Sequence, residues 1–246
     1  MADKILVLVN GARGKMGKES VRAVREAEDM ELVAETDVED VLADAIRDSG
    51  AQVVVDFTTP HCAFQNALTI VETGVGGVIG TTGFTPDQID ELEIKCAGKH
   101  PGLLIAPNFA IGAVLMMHCA RIIARHMPDV EIIELHHPAK LDAPSGTAIK
   151  TAELIAQSQA RTIVPRGTSE PAARGDRFHG IPVHSVRLPG LLAHQSIIFG
   201  AEGQTLTVRH DSINRSCFMP GVLLGIREVL HRKGLIYGLE SLLLTE

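Results

Sequence analysis

Short apolar runs alternate with longer stretches whose apolar positions recur every three to four residues, and this rhythm holds over the first half of the chain. Ile5–Val9, Ala51–Phe57, the run from Gly77 and Leu103–Ile105 carry almost no polar face, as expected of strands covered on both sides. Glu31–Ala34 adds a further strand. Helices are predicted up to about Glu28, over Asp37–Ser49, from about His61 to Thr73 and over Pro86–Ala97. Strand and helix in strict alternation predict a parallel, doubly wound sheet. A helix follows from Ile111 to about His126, with Leu115, Met116, Cys119, Ile122 and Ile123 at packing positions. The pattern then changes: Val130–His136, Ile181–Leu188, His194–Gly200 and Thr205–Asp211 are β-enriched and separated by turns containing Gly or Pro, which predicts a second, α+β domain on one mixed sheet. The last amphipathic helix, Phe218 to Arg232, is expected to pack back onto the first domain. The first domain is therefore drawn as 1–109 with 218–246, and the second as 110–217.

Candidate chemistry sits where the apolar runs stop. The first strand leads into Asn10-Gly-Ala-Arg-Gly-Lys-Met-Gly17, a G-x-x-G-x-x-G variant of the dinucleotide fingerprint that opens a helix. Gly11, Gly14 and Gly17, with Ala12, Arg13, Lys15 and Met16 between them, form a turn whose backbone can approach a pyrophosphate, and the class becomes Rossmann-type α/β. Glu35 and Asp37, at the end of the second strand, share a face, and either could meet the ribose hydroxyls of NAD; Arg13 and Lys15 could hold the 2′-phosphate of NADP. Gly80, Thr81 and Thr82 fall at the carboxyl edge of the sheet, where a ligand contact and a plain tight turn are equally open readings.

The densest stretch is Glu134-Leu-His-His-Pro-Ala-Lys-Leu-Asp-Ala-Pro-Ser-Gly-Thr-Ala148. A β-branched strand precedes it, Pro138 and Pro144 bracket a loop, and a helix starts beyond Pro144 with Ser145 as its cap. The N–H groups of Gly146 and Thr147 are then free to hold an anion, and Lys140 can neutralise it. His136 and His137, adjacent on an extended backbone, point to opposite faces and do not readily share a metal ion; one suits proton transfer and the other orientation.

Composition narrows the partners. The chain has 246 residues, a net charge of −7, 3% aromatic residues, no Trp and a single Tyr, Tyr237. It has no basic run and no stacking platform for nucleic acid, and no apolar run reaches the ~20 residues of a membrane span. The N-terminus enters the first strand directly, so a cytoplasmic location is expected. Cys62, Cys96, Cys119 and Cys217 form no Cys-x-x-Cys pair and are expected to be reduced and mostly buried, with no metal site. Gln157–Gly180 reads as a long polar loop, either functional or simply surface.

The Glu134–Ala148 stretch resembles the signature of the dihydrodipicolinate reductase family, with no departure at its fixed positions, and the resemblance extends over essentially the whole chain. It implies an enzyme that reduces 4-hydroxy-tetrahydrodipicolinate to tetrahydrodipicolinate with NADH or NADPH, in the diaminopimelate route to lysine. It also implies His136 as general acid and Lys140 as the second catalytic group. His137, Ser145, Gly146 and Thr147 would bind the cyclic dicarboxylate. The resemblance favours Asp37 over Glu35, puts Gly80, Thr81 and Thr82 beside the nicotinamide ribose, and makes Ala106, Pro107, Asn108 and Phe109 line the cofactor. It implies a homotetramer built on the second sheet, so His184 and His194 are better placed for interface or core than for catalysis. Arg215 matches the family and could face the active site, though a surface residue flanking a helix is the better reading of it. The expected site lies in a cleft between the domains. Two rivals remain, a non-catalytic NAD(P) sensor and a hydrolase using Ser145 with His136.

Overall fold

The computed structural model describes residues 3–159 and 172–244. Half of the polar segment 157–180, residues 160–171, therefore lies outside the described residues. The chain divides into two compact units, Met1–Ile111 with Arg215–Glu246, and Gly112–Asn214.

The first unit is a six-stranded parallel sheet among the described residues: β1 (Ile5–Asn10), β2 (Met30–Thr36), β3 (Val53–Asp56), β4 (Gly76–Ile79), β5 (Leu103–Ile105) and β11 (Leu235–Tyr237), in the order β11-β5-β4-β3-β1-β2. Leu8, Val54, Ile79, Leu103 and Ile105 meet one helical layer, α2 (Leu42–Ser49), α3 (Pro60–Thr73) and α4 (Pro86–Cys96), through Ile46, Ile70 and Leu92. Alternation turns Val7, Val53, Val55, Val78 and Leu104 to the opposite face, covered by α1 (Lys15–Glu26) and α7 (Met219–Val229). Strands buried on both faces need uninterrupted apolar runs, which is why these segments stood out. The returning C-terminal helix does complete this unit, as α7, and β11 pairs with β5 beyond it; α8 (Glu240–Leu243) follows.

The chain order reverses at β1, which has β2 on one side and β3 on the other. At the carboxyl end of these strands lies a buried polar knot. Asp56, fully buried, accepts from Asn10 Nδ2 (2.8 Å), Asn66 Nδ2 (2.8 Å), Thr58 N (3.1 Å) and Thr58 Oγ1 (2.7 Å). Thr36 Oγ1 donates to Asn10 Oδ1 at 2.9 Å, joining β2 to the same knot.

The second unit holds α5 (Ile111–Ile123, beginning at the last residue of the first unit), β6 (Asp129–His136), α6 (Gly146–Ser158), β7 (Asp176–Phe178), β8 (Ile181–Arg187), β9 (Ala193–Ala201) and β10 (Gln204–Ser212). The order is β10-β9-β6-β8-β7, with β6 and β8 parallel and the other pairs antiparallel, the expected mixed sheet. Val130, Ile132, Ile197 and Phe199 pack against Ala148, Ala152 and Ile155 of α6 and Met116 and Ala120 of α5.

Three expectations are corrected. The helix assigned to Asp37–Ser49 begins only at Leu42, because Asp37 and Asp40 close a turn: Asp37 N donates to the Asp40 carboxylate and Asp40 N to the Asp37 carbonyl. On α5 the small residues Ala113 and Ala120 share the buried positions with Val114 and Met116, whereas Leu115, Cys119 and Ile122 are exposed. A helix apolar on nearly every side gives periodicity no single face to report. All four cysteines are free, but Cys96 alone is buried. The short strands β7 and β11 were not anticipated, being three residues each.

Replacing Asp56 with Leu leaves the buried Asn10 amide without its acceptor and Asn66 with Thr58 Oγ1 in place of two acceptors. It should cost about 2–4 kcal/mol in urea unfolding, and a change below ~0.5 kcal/mol would show that the knot contributes nothing to stability.

Candidate active site

In the first unit a cavity of about 860 Å³ opens at the switch point, lined by the glycine turn, Asp37 and the ends of β3 and β4. The turn is stitched to β2, with Gly11 N and Ala12 N both donating to the Thr36 carbonyl. Gly11 has φ +77°, and a side chain there would place Cβ 2.7 Å from the Phe57 carbonyl oxygen; at Gly17 a Cβ would fall 2.0 Å from the Gly11 carbonyl oxygen. The first glycine makes the turn and the last lets the helix sit against it, so α1 presents its N-terminus to the cavity. Gly14, its N-cap, leaves that terminus without a side-chain cap. These are the features a pyrophosphate needs.

Asp37 lines the same cavity. Its carboxylate accepts from Arg13 N at 3.0 Å and from Val38 N at 3.0 Å, and these hydrogen bonds hold it below the usual carboxylate range. Glu35 instead pairs with Arg25. The Arg13 guanidinium bonds Glu39 at 2.9 Å. Lys15, Met16, Gly80, Thr81 and Thr82 line the cavity, whereas Ala12, Arg13, Gly17 and the 106–109 stretch do not. Ala106 and Phe109 are core, Phe109 meeting Phe57 edge-on at 5.8 Å; Pro107 is exposed, and Asn108 Oδ1 accepts from Ala110 N. Thr58, Thr59, Val38 and Val41 also line the cavity and were not singled out from the sequence. The polar end of Val-Val-Val-Asp was the available signal for the first of these. Acceptor carboxylate, open helix terminus and glycine cradle together fit a nicotinamide dinucleotide.

In the second unit, alternation along β6 carries the face of Val130 and Ile132 on to Glu134 and His136 at the strand's end. Glu134 is fully buried and holds Arg187 in a bidentate pair, Oε1 to Nη2 at 2.8 Å and Oε2 to Nη1 at 2.9 Å. Its Oε2 also meets His136 Nδ1. Burial pushes the Glu134 carboxyl up, but hydrogen bonds from Arg187, Ser185 and His136 outweigh it and the net shift is downward. Burial lowers the His136 imidazole below its ordinary value, helped by Lys140 and Arg187 and opposed by Glu134.

His137 lies one residue beyond the strand, and its carbonyl accepts from Lys140 N at 3.1 Å. Lys140 Nζ pairs with Asp142 at 2.8 Å, which holds the Asp142 carboxyl below its ordinary range. Ser145 is the N-cap of α6, as expected, its Oγ accepting from Ala148 N at 3.2 Å. Buried and committed to that bond, it is no nucleophile, which removes the hydrolase reading. Gly146 is exposed, and a Cβ there would meet nothing within 4 Å, so the first turn of α6 is open to a ligand. His184 pairs with Glu131 at 2.8 Å and His194 with Asp211 at 2.6 Å, both outside the Glu134 network. Arg215 sits in a 3₁₀ turn of the first unit.

The pattern has close relatives. Residues 5–109 match the model of the dihydrodipicolinate reductase N-terminus and residues 112–243 that of its C-terminus. A 4-hydroxy-tetrahydrodipicolinate reductase of Coxiella burnetii is 49% identical over 97% of this chain and 99% of its own. One of Listeria welshimeri is 50% identical over 96% and 99%. The dipicolinate-bound dihydrodipicolinate reductase of Paenisporosarcina sp. TG-14 superposes with a TM-score of 0.88 at 45% identity, over 97% of this chain and 99% of that one. Two family halves matched in sequence over nearly the whole chain, on an α/β fold with a dinucleotide cradle in one unit and a His–Lys loop in the other, make this chain a member of the dihydrodipicolinate reductase family, an NAD(P)H-dependent oxidoreductase.

Proposed function

We propose that this chain reduces 4-hydroxy-tetrahydrodipicolinate to tetrahydrodipicolinate, in the diaminopimelate route to lysine, with His136 as the proton donor. The observation that carries the reading is the end of β6, where an imidazole lies against a buried carboxylate and ten residues ahead of the open first turn of α6. A bound dihydronicotinamide supplies the hydride. The first unit would hold its dinucleotide through Gly11, Gly14, Lys15 and Met16 of the turn, with Asp37 and Gly80–Thr82. The second unit holds the substrate: the N–H groups of Gly146 and Thr147 take one carboxylate at the positive end of α6, and Lys140, released from Asp142, takes the other. His137 orients the ring.

Hydride addition leaves electron density on the substrate, and His136 neutralises it by donating a proton from the nitrogen that faces away from Glu134. Lys140 stabilises the same developing charge. Asp37 would accept from the ribose hydroxyls, and with Arg13 drawn to Glu39 and Asp40 beside the same cavity the acids around that position favour NADH over NADPH. The protein is proposed to be cytoplasmic; among the described residues no helix is long and apolar enough to cross a membrane. It is also proposed to form a homotetramer on the second sheet. Ile133, Leu135 and Val186, on the face opposite the helix-covered cluster, are only half-buried and would be covered there.

The direct test mixes the protein with NADH or NADPH and the product of dihydrodipicolinate synthase and follows the nicotinamide absorbance; tight cofactor binding without oxidation would leave only a sensor. His136→Gln should lower kcat by about 10²–10⁴ while cofactor affinity holds, and Lys140→Ala should also act mainly on turnover; normal rates would remove either from the mechanism. Asp37→Ser should weaken NADH by roughly tenfold and NADPH less, read by nicotinamide fluorescence titration; equal losses would refute the ribose contact. A general acid must be protonated, so activity falls as pH rises through its pKa. Because burial lowers His136 in the free protein and a substrate dianion raises it, the alkaline limb of kcat/KM should lie at lower pH than that of kcat. Coincident limbs would contradict this.

A further inference from the structure

Glu134 has no access to solvent, and no step of the proposed reaction touches it or its partly buried partner Arg187. The two are nevertheless built into one unit with His136. In the parallel β6–β8 ladder Glu134 lies opposite Ser185 and His136 opposite Arg187, so alternation brings all four to one face at the end of the strands. Both Glu134 oxygens are engaged by the guanidinium, which also donates to the Val186 carbonyl (2.8 Å) and to the Asp142 carbonyl (2.7 Å) in the loop that carries Lys140. A carboxylate clamped in this way can only accept. The ring nitrogen that faces it, Nδ1, must therefore carry a hydrogen.

We propose that Glu134, held by Arg187, is a positioning residue that fixes His136 as its Nδ1–H tautomer and leaves Nε2 as the nitrogen that passes the proton to substrate. This rests on His136 being the general acid. The imidazolium donates from Nε2, the neutral ring that remains is already the tautomer Glu134 stabilises, and solvent returns the proton to Nε2 after product leaves. No rotation of the ring and no movement of the carboxylate is needed between turnovers. Arg187 has a second part in this arrangement. By gripping Asp142 as well as Glu134 it ties the loop bearing Lys140 to the strand bearing His136, so the two catalytic groups share one anchor. The charged groups acting on the ring are Glu134 on its own strand, Lys140 on the following loop and Arg187 on β8, and Glu134 is the only one of these that favours the imidazolium.

Glu134→Gln tests this. Because Oε2 takes donors from both Arg187 Nη1 and His136 Nδ1, the carboxamide NH2 opposes a guanidinium N–H whichever way it turns; facing the ring it favours the opposite tautomer, and facing away it leaves Nδ1 only a neutral acceptor. Nitrogen NMR of histidine-labelled protein, with the His136 ring assigned by its loss in His136→Gln, should show Nδ1 protonated in the parent and a weaker preference for that tautomer in the variant. The alkaline limb of kcat should move to lower pH and kcat at neutral pH should fall on the order of 10- to 100-fold, with KM and cofactor affinity within about twofold. A parent ring protonated at Nε2, or a folded variant with the tautomer and pH limb unchanged, would overturn the proposal. Should Glu134→Gln fail to fold, Glu134→Asp keeps the charge but withdraws it by a methylene; it should weaken the tautomer preference, and an unaltered ring would again overturn the positioning role. Full turnover by His136→Gln, with the tautomer preference still weakened in Glu134→Gln, would instead bring down the general-acid reading.

Discussion

A carboxylate removed from water survives only if every oxygen is met by a donor, and satisfying one commits whatever elements those donors stand on. Each unit of this protein is organised around such a group. Asp56 draws donors from β1, the segment after β3 and α3, and through Asn10 it reaches β2. Glu134 draws on β8 through Arg187 and, through the same guanidinium, on the loop before α6. Both lie at carboxyl ends of strands, where apolar packing thins out and loops begin. Hydrophobic burial assembles the layers; these two polar knots decide where the loop backbones stand.

The two units offer their proposed ligands different physics. The first uses backbone: a turn that excludes side chains at Gly11 and Gly17, an uncapped helix terminus and one carboxylate steadied by two N–H groups. Such a site is insensitive to protonation near neutrality. The second relies on titratable side chains in partial burial, where Glu134, Arg187 and Lys140 push His136 in opposing directions. Division of labour of this kind keeps cofactor affinity independent of the proton economy of the reaction.

Much of this was legible in the chain. Continuous runs such as Ile5–Val9 and Leu103–Ile105 announce strands covered on both faces, and Pro144-Ser-Gly-Thr announces a capped helix start, because in each case one local rule dominates. The glycine spacing was readable for the same reason. Other features depend on partners distant in sequence. Asp56 and Arg187 acquire their meaning only when strands pair, since Asn10 is 46 residues from Asp56 and Arg187 is 53 from Glu134. Asp37 could be ranked above Glu35 only by resemblance, since the Arg13 N–H that Asp37 accepts and the Arg25 that Glu35 pairs with become visible only in the fold. On α5, apolar residues on every side concealed which stripe is covered, and small alanines took positions where larger residues were expected. The short strand β11 is too brief to carry a pattern of its own.

The first unit is interrupted by the second, and that has a consequence during synthesis. The helix that covers β4, with Met219, Val222, Ile226 and Val229 buried in it, and the edge strand β11 lie more than a hundred residues after β5. A nascent chain leaves the ribosome N-terminus first, so five strands of the sheet emerge with Val78 and Leu104 bare until the whole of 112–214 has followed. The unit in between closes on contacts of its own and needs no such wait. The unit that begins second can thus be finished first, while its host is still incomplete.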